Sequence, residues 1–144
     1  MKLMLSVFLL ISIFIGNAGT FRSLVGAIRS NKYNQFEESL ASNDLDINET
    51  TWGVTPLYIA VHFGRVQMIK PIIEKGADIN ALCGSKKRTA LHKAVSKGNE
   101  EIVRLLLDAG ADYKLANKYG KTPYEEAEKR GYQNILMILG ENNN

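Results

Sequence analysis

The stretch "TPLYIAVHFG" at residues 55–64 returns, with substitutions, as "TALHKAVSKG" at residues 89–98 and as "TPYEEAEKRG" at residues 122–131. The three copies start 34 and 33 residues apart. A repeat of this period is typical of chains built from stacked helical units, and it has to be settled before any local motif is interpreted. The repeated letters therefore predict a scaffold before they predict a site.

The first copy has the apolar spacing of one face of a short helix. Leu57, Ala60 and Val61 stand at positions i, i+3 and i+4, and Gly64 then ends the helix. A second apolar run follows, and Gly76 suits the left-handed conformation that closes it. Each unit is thus predicted to be a helix, a tight turn, a helix and a loop. Two such helices cannot bury their apolar faces alone, so neighbouring units must cover them.

Two longer segments carry a family resemblance. "GVTPLYIAVHFGRVQMIKPIIEKGADIN" and "RTALHKAVSKGNEEIVRLLLDAGADY" resemble ankyrin repeats. Residues 50–113 match closely, residues 117–139 match as a terminal unit, and a weaker match runs backwards from Thr55. The resemblance implies an all-α ankyrin-repeat solenoid of helix-turn-helix units with projecting loops or β-turn fingers. The four expected units cover about 22–49, 50–82, 83–116 and 117–140.

The resemblance also implies roles for single residues. Thr55 and Thr89 resemble the threonine that caps the first helix of each unit. Pro56 and Pro123 suit the first helical position. His92 matches the structural histidine of the family's Thr-Pro-Leu-His tetrapeptide, so we expect it to be neither a metal ligand nor a catalytic base.

Four residues depart from the family pattern. Pro71 falls inside an expected second helix, so that helix either begins near Met68 or is kinked. The segment "GSKKR" places Lys87 where the family usually has glycine, which predicts a reshaped finger. Tyr58 and Glu125 replace the family histidine, and we expect their two units to lack its hydrogen bonds.

The N-terminal segment "MKLMLSVFLLISIFIGNAG" has the three parts of a secretory signal peptide. Lys2 is the positive part, residues 3–15 are uncharged, and the small residues near Ala18 predict cleavage after Ala18 or Gly19. Residues 1–19 are therefore interpreted as a signal peptide and residues 20–144 as the ankyrin domain. An uncleaved membrane anchor and a core helix are the alternatives. Export predicts a periplasmic, secreted or host-directed bacterial protein, in which the single Cys83 has no disulfide partner and is buried or half-buried.

Residues for catalysis do not converge in this sequence. The two histidines lack metal-ligand spacing with another histidine or cysteine, and no nucleophile elbow, phosphate loop or dinucleotide fingerprint occurs. Glu125, Glu126 and Glu128 are interpreted as a solvated face. We expect a non-enzymatic protein with no metal and no cofactor, and keep an enzyme of unrecognised type as an alternative.

The resemblance implies that a partner docks on the concave side, formed by the finger tips and the exposed faces of the first helices. The positions that carry over give an aromatic half beside a basic half. These candidate partner-binding residues are Thr51, Trp52, Val54, His62, Phe63, Lys86, Lys87, Arg88, Lys97, Lys118, Tyr119, Lys121, Lys129 and Arg130. Two alternatives remain open: Trp52 and Phe63 pad a finger against a neighbouring helix, and the basic residues only aid solubility.

The expected partner is a protein with an acidic or mixed surface, bound by a monomer. The formal net charge of +3 is too small to indicate nucleic acid, although Lys86, Lys87, Arg88, Lys118 and Lys121 could hold a phosphate backbone. That basic-surface nucleic-acid binder is the alternative function, together with a membrane-anchored adaptor. Contact with a membrane is expected only through the N-terminal signal.

Overall fold

The computed structural model describes residues 19–141, and its helices follow one another in pairs. Helix α1, at residues 19–30, is joined to α2 by hydrogen bonds from Gln35 and Ser39 to the Ser23 hydroxyl. The remaining helices are α2 Tyr33–Leu40, α3 Pro56–His62, α4 Val66–Glu74, α5 Ala90–Lys97, α6 Glu100–Asp108, α7 Pro123–Arg130 and α8 Gln133–Glu141.

The helix pairs stack in sequence order. Helix α3 packs on α5 and α5 on α7, which forms an inner row, while α2 packs on α4 and α6 on α8 in an outer row. One continuous apolar core runs between the rows from Phe21 to Leu139. Leu24, Ala27 and Phe36 of the first pair are fully buried, as the weaker N-terminal match predicts. The all-α solenoid is therefore confirmed.

Threonine caps begin three of the inner helices. The hydroxyls of Thr55, Thr89 and Thr122 each accept a hydrogen bond at 3.3 Å from the backbone N–H three residues on. A cap of this kind contributes about 1 kcal/mol. At the other end, Gly98 and Gly131 have φ values of 68° and 71°, which side chains disfavour. The repeated Thr and Gly letters thus define the length of each inner helix.

Asparagine side chains connect successive units. Asn48 Oδ1 accepts from the Asp78 backbone N–H and Asn80 Oδ1 from that of Asp112, both at 2.8 Å. Each asparagine N–H is in turn held by the aspartate two residues before it, at 2.9 Å for both Asp46 and Asp78. We call these two inter-unit bonds the asparagine rungs. They join each of the first three units to the next through a side chain of one and the backbone of the other.

Two expectations about departures from the family need correction. Helix α4 begins at Val66 and contains Pro71, so the late start near Met68 is wrong. The expectation that the unit of Glu125 lacks the hydrogen bonds of the family histidine is wrong for one of those bonds: the Glu125 carboxylate accepts from the Thr122 backbone N–H at 2.8 Å and completes a capping box. A carboxylate reproduces this bond because it can accept from the same N–H as the family histidine.

Most of the predicted signal peptide, residues 1–18, lies outside the described part of the chain. Between residues 19 and 141 no helix has the length and apolar character needed to cross a bilayer. Cys83 is buried, as expected, and its sulfur lies 3.6 Å from the Thr55 hydroxyl.

Candidate functional site

Three fingers project before α3, α5 and α7 and are joined through their backbones. Finger 1 comprises residues 51–54, finger 2 residues 83–88 and finger 3 residues 117–121. The Gly84 N–H donates to the Gly53 carbonyl at 2.8 Å, and the Lys118 N–H to the Lys86 carbonyl at 3.0 Å. We call the finger row, together with the exposed sides of the inner helices, the inner face.

Finger 1 ends in an exposed tryptophan. Thr51 and Val54 pair in antiparallel fashion, and the residues between them, Trp52 and Gly53, have φ values of 55° and 72°. Positive φ at both central positions is the mark of a type I′ turn, which favours Asn-Gly. The Trp52 side chain is 97% exposed. The alternative that Trp52 pads a neighbouring helix is therefore wrong.

The Phe63 ring is in contact with two polar side chains and is partly exposed to solvent. The His62 ring meets its edge at a centroid distance of 4.8 Å, and the Arg65 guanidinium lies 5.8 Å from its centre. Arg65 is itself fixed, because it donates to the Ile28 and Arg29 carbonyls at the end of α1. The ring remains 39% exposed. This arrangement presents an aromatic surface in a defined orientation.

A cleft of about 330 Å³ lies between finger 1 and the inner helices. We call it the apolar cleft. Its lining residues are Val25, Arg29, Thr51, Trp52, Val54, Tyr58, Ile59, His62, Phe63 and Lys93.

Lys93 is the half-buried cation of the apolar cleft. Its ammonium lies 5.7 Å from the centre of the Tyr58 ring. Burial lowers the pKa of Lys93, and the nearby Lys97, Arg88 and Lys86 lower it further. Among residues 19–141 no carboxylate forms an ion pair with this ammonium. The cleft therefore holds a positive charge that no described acidic side chain balances.

The second cleft, of about 840 Å³, lies beside fingers 2 and 3 and has mixed charge. We call it the charged cleft. Its lining residues are Lys86, Arg88, Asn117, Tyr119, Lys121, Glu125, Glu126, Glu128, Lys129 and Arg130.

Glu126 neutralises two of the cations in the charged cleft. Its carboxylate accepts from Arg88 and from Arg130, each at 2.8 Å, and its side chain is only 14% exposed. Burial alone would raise the Glu126 pKa, but hydrogen bonds from Arg130 and Arg88 hold it below its usual value. The expectation of a solvated face at Glu126 is wrong, because Arg88 approaches from a finger distant in sequence. Arg88 and Arg130 are thus structural ion-pair partners.

His92 links two units instead of forming a reactive group. Its Nδ1 accepts from the Thr89 N–H at 3.2 Å, and its Nε2 donates to the Lys121 carbonyl at 2.8 Å. A backbone N–H can only donate and a carbonyl can only accept, so these partners assign the neutral tautomer with its proton on Nε2. Burial lowers the His92 pKa despite the Lys121 hydrogen bond.

The fourteen predicted partner-binding residues separate into three groups. Five of them line the apolar cleft: Thr51, Trp52, Val54, His62 and Phe63. Those that line the charged cleft are Lys86, Arg88, Tyr119, Lys121, Lys129 and Arg130. The exposed residues that line neither cleft are Lys87, Lys97 and Lys118.

Sequence reasoning missed the floor of the apolar cleft: Val25, Arg29, Tyr58, Ile59 and Lys93. A signal for Lys93 was present in the repeat itself. The fifth letter of the three aligned stretches is Ile59, Lys93 and then Glu126. A position that changes from apolar to basic to acidic does not serve the common stacking, and such a position marks a surface that differs from unit to unit.

Within residues 19–141, no group of three or more histidine, cysteine, aspartate or glutamate side chains could hold a metal ion. What the inner face offers is contact surface: two clefts, an exposed tryptophan and cations with and without partners.

The family model described as ankyrin repeats in three copies matches residues 24–117 and, in an overlapping match, residues 81–144. This chain belongs to the ankyrin repeat family. An ankyrin repeat region is a protein–protein interaction module, and the inner face of this one carries exposed aromatic and basic groups.

Known proteins similar to this chain come from several animals and from rice. BRCA1-associated RING domain protein 1 of Caenorhabditis elegans is 42% identical over 105 residues, which cover 73% of this chain and 15% of that protein. E3 ubiquitin-protein ligase Ufd4 of Drosophila melanogaster is 34% identical over 124 residues, covering 83% of this chain and 4% of the ligase. Ankyrin repeat and SOCS box protein 11 of Homo sapiens is 33% identical over 105 residues, covering 72% and 32%. This chain spans less than a third of each relative, so the likeness concerns the repeats.

Proposed function

We propose that this ankyrin chain is an exported, non-enzymatic binding module that holds another protein on its inner face. The observation that carries the proposal is Trp52, which is 97% exposed on a left-handed finger tip. Neither core packing nor backbone preference accounts for a tryptophan there. Aromatic residues that project beside a cleft are typical anchors of protein interfaces.

The partner surface that fits best is acidic or mixed. The apolar cleft offers an unbalanced cation at Lys93, and the charged cleft offers lysines together with carboxylates. The same carboxylates, Glu125, Glu126 and Glu128, count against a nucleic acid, because they would repel a phosphate backbone where the candidate lysines lie.

Export follows from the interpretation of residues 1–19 as a signal peptide. The proposed cleavage after Ala18 or Gly19 would retain Phe21, which is the first buried core residue within residues 19–141. N-terminal sequencing of the native protein, with cell fractionation, tests this directly. A mature chain beginning at Gly19 or Thr20 outside the cytosol supports export. A full-length chain in the cytosol contradicts it, and an intact N-terminus in the membrane fraction favours the membrane-anchored adaptor.

Site-directed photo-crosslinking tests the inner face as the binding surface. A photoreactive phenylalanine analogue replaces Trp52 in one variant and Lys70, which is 77% exposed on α4 in the outer row, in the control. We expect a discrete protein adduct in the native compartment from position 52 only, reduced by excess unlabelled chain. Equal adducts from both positions, or none from position 52, would contradict the assignment.

A further inference from the structure

We propose that the apolar cleft binds an extended segment of a protein partner, with an apolar side chain between Trp52 and Phe63 and a carboxylate on Lys93. This inference rests on the proposed binding function and names the chemistry of the segment recognised.

The geometry of the cleft fits a short segment. Four elements supply its lining: α1 with Val25, finger 1 with Trp52, the end of α3 with His62 and the following Phe63, and α5 with Lys93. Its volume of about 330 Å³ is at the low end of the range for sites that enclose a ligand, roughly 300–1,000 Å³. One large apolar side chain and its immediate neighbours fill such a space, whereas a flat protein surface would leave it empty.

The charge of the cleft selects an anion. The strongly charged residues in its lining, Arg29 and Lys93, are both basic, and no aspartate or glutamate lines it. The ion pairs found in residues 19–141 all lie elsewhere, on α4, α7, finger 2 and finger 3. A half-buried ammonium without a counter-ion is unfavourable, and Lys97, Arg88 and Lys86 add to the repulsion. An incoming carboxylate relieves both effects.

A carboxylate fits better than a phosphate chain. Val54, Ile59 and Phe63 line the same cleft as Lys93 and make much of it apolar, and a lysine ammonium is a single point charge that one carboxylate balances. A nucleic acid backbone would need a row of cations and open space for its sugars. An oligonucleotide is therefore the competing probe in the test.

The protein contains its own reporter, because Trp52 is the only tryptophan. Its fluorescence is recorded while the full-length chain is titrated with a capped peptide in which aspartates flank one phenylalanine. The matched probes are the same peptide with asparagine in place of aspartate, and a single-stranded oligothymidylate. We expect a saturable blue shift with the acidic peptide, at least about tenfold weaker binding of the asparagine peptide, and no shift with the oligonucleotide.

Substitutions of Lys93 test whether its ammonium is the group that binds the acidic peptide. Lys93→Met keeps the length of the side chain and should weaken binding of the acidic peptide about tenfold or more, whereas Lys93→Arg should retain most of it. The matched control is Lys70→Met on the outer row, which should bind like the parent protein. Far-ultraviolet circular dichroism verifies that each variant is folded.

The inference is overturned by the absence of a saturable shift, by equal affinity for the aspartate and asparagine peptides, or by unchanged binding by Lys93→Met. Tighter binding of the oligonucleotide would also overturn it. A specific protein adduct at position 52 together with any of these results leaves the binding function standing and removes only the acidic segment. Absence of the adduct removes the binding function itself.

Discussion

Single residues of this chain show where the requirements of folding and of binding separate. Thr89 and His92 form hydrogen bonds with each other, and His92 forms another with the next unit, so the stacking of the units accounts for both residues. Trp52 has no such structural role within residues 19–141, because its ring is exposed and its backbone is in the left-handed region. Stability alone would not select tryptophan at that position.

Replacing Trp52 by asparagine should stabilise the protein while weakening its interactions. Asparagine adopts positive φ more readily, so we expect the free energy of unfolding to rise by about 0.5–1 kcal/mol. Urea unfolding followed by circular dichroism measures this change. Lys87→Asn is the matched control, since Lys87 also has a positive φ, of 49°, without an aromatic ring. A loss of stability in Trp52→Asn would show that the ring contributes to the fold.

His92 should make stability depend on pH near neutrality. Its pKa is lowered in the fold, chiefly by burial, so the unfolded chain takes up a proton first as the pH falls below about 6.5. The contribution of neutral His92 is therefore complete above about pH 6.5 and is lost as the pH falls through its folded-state pKa. The urea midpoint should therefore decline as the pH is lowered from about 7.5 to about 5.5. Glu125 and Glu126 do not contribute in this window, because their pKa values are lowered and they titrate below it.

The control for this titration is His92→Gln, which cannot be protonated and should flatten most of the decline, at a cost of about 2 kcal/mol at neutral pH. His62→Gln tests the other histidine, whose pKa is also lowered by burial and by Lys93 and Lys97. If the decline persists in His92→Gln and disappears in His62→Gln, the assignment to His92 is wrong.

At the scale of elements, the helices follow local rules and the fingers do not. Helix α5 begins at a threonine cap and ends at Gly98, both visible in the repeated letters. Finger 2 has four residues between its paired positions, Cys83 and Arg88, where finger 1 has two between Thr51 and Val54. The fingers are thus the elements in which the units differ.

Pro71 is a destabilising residue inside helix α4. It has no N–H for the helical hydrogen bond to the Gln67 carbonyl, and a proline in a helix interior costs about 3 kcal/mol. Part of this cost is offset, because a proline stiffens the unfolded chain. Pro71 also lines a surface cleft together with Phe36 and Leu40. We expect Pro71→Ala to raise the free energy of unfolding by about 1 kcal/mol or more, measured by thermal and urea unfolding.

The neighbouring substitution Lys70→Ala serves as the control for Pro71→Ala and should change stability by less than about 0.5 kcal/mol. A destabilised Pro71→Ala variant would mean that the packing of the ring outweighs the missing hydrogen bond.

For the whole molecule, the contacts between neighbouring units provide much of the stability. Helices α7 and α8 cover α5 and α6, and the Lys121 carbonyl receives the His92 hydrogen bond. Deleting residues 117–144 removes these contacts together and exposes apolar surface. We expect the free energy of unfolding to fall by about 3 kcal/mol or more, with binding of a hydrophobic dye to the folded fragment.

His92→Gln in the intact chain isolates the single hydrogen bond from the loss of packing in this deletion. A soluble fragment with the urea midpoint of the parent and no dye binding would contradict the dependence of one unit on the next.

Much of the fold could be predicted because its rules are local and repeated. Helical spacing, the Thr caps and the closing glycines each depend on residues within one turn, so the sequence contains them directly. The site could be predicted only in part. The neutralisation of Arg88 by Glu126 and the balance of charge around Lys93 join residues from different units. Those contacts depend on how the units stack, which single letters do not specify.

The two asparagine rungs allow the opening of each of the first two junctions to be measured separately by hydrogen–deuterium exchange. The amide protons of Asp78 and Asp112 sit near the surface, where free amides exchange rapidly, yet each is bonded to a side chain of the preceding unit. Their deuteration then requires the two units to part, if only briefly. The slower of the two rates identifies the tighter junction, and a partner that bridges both should retard both.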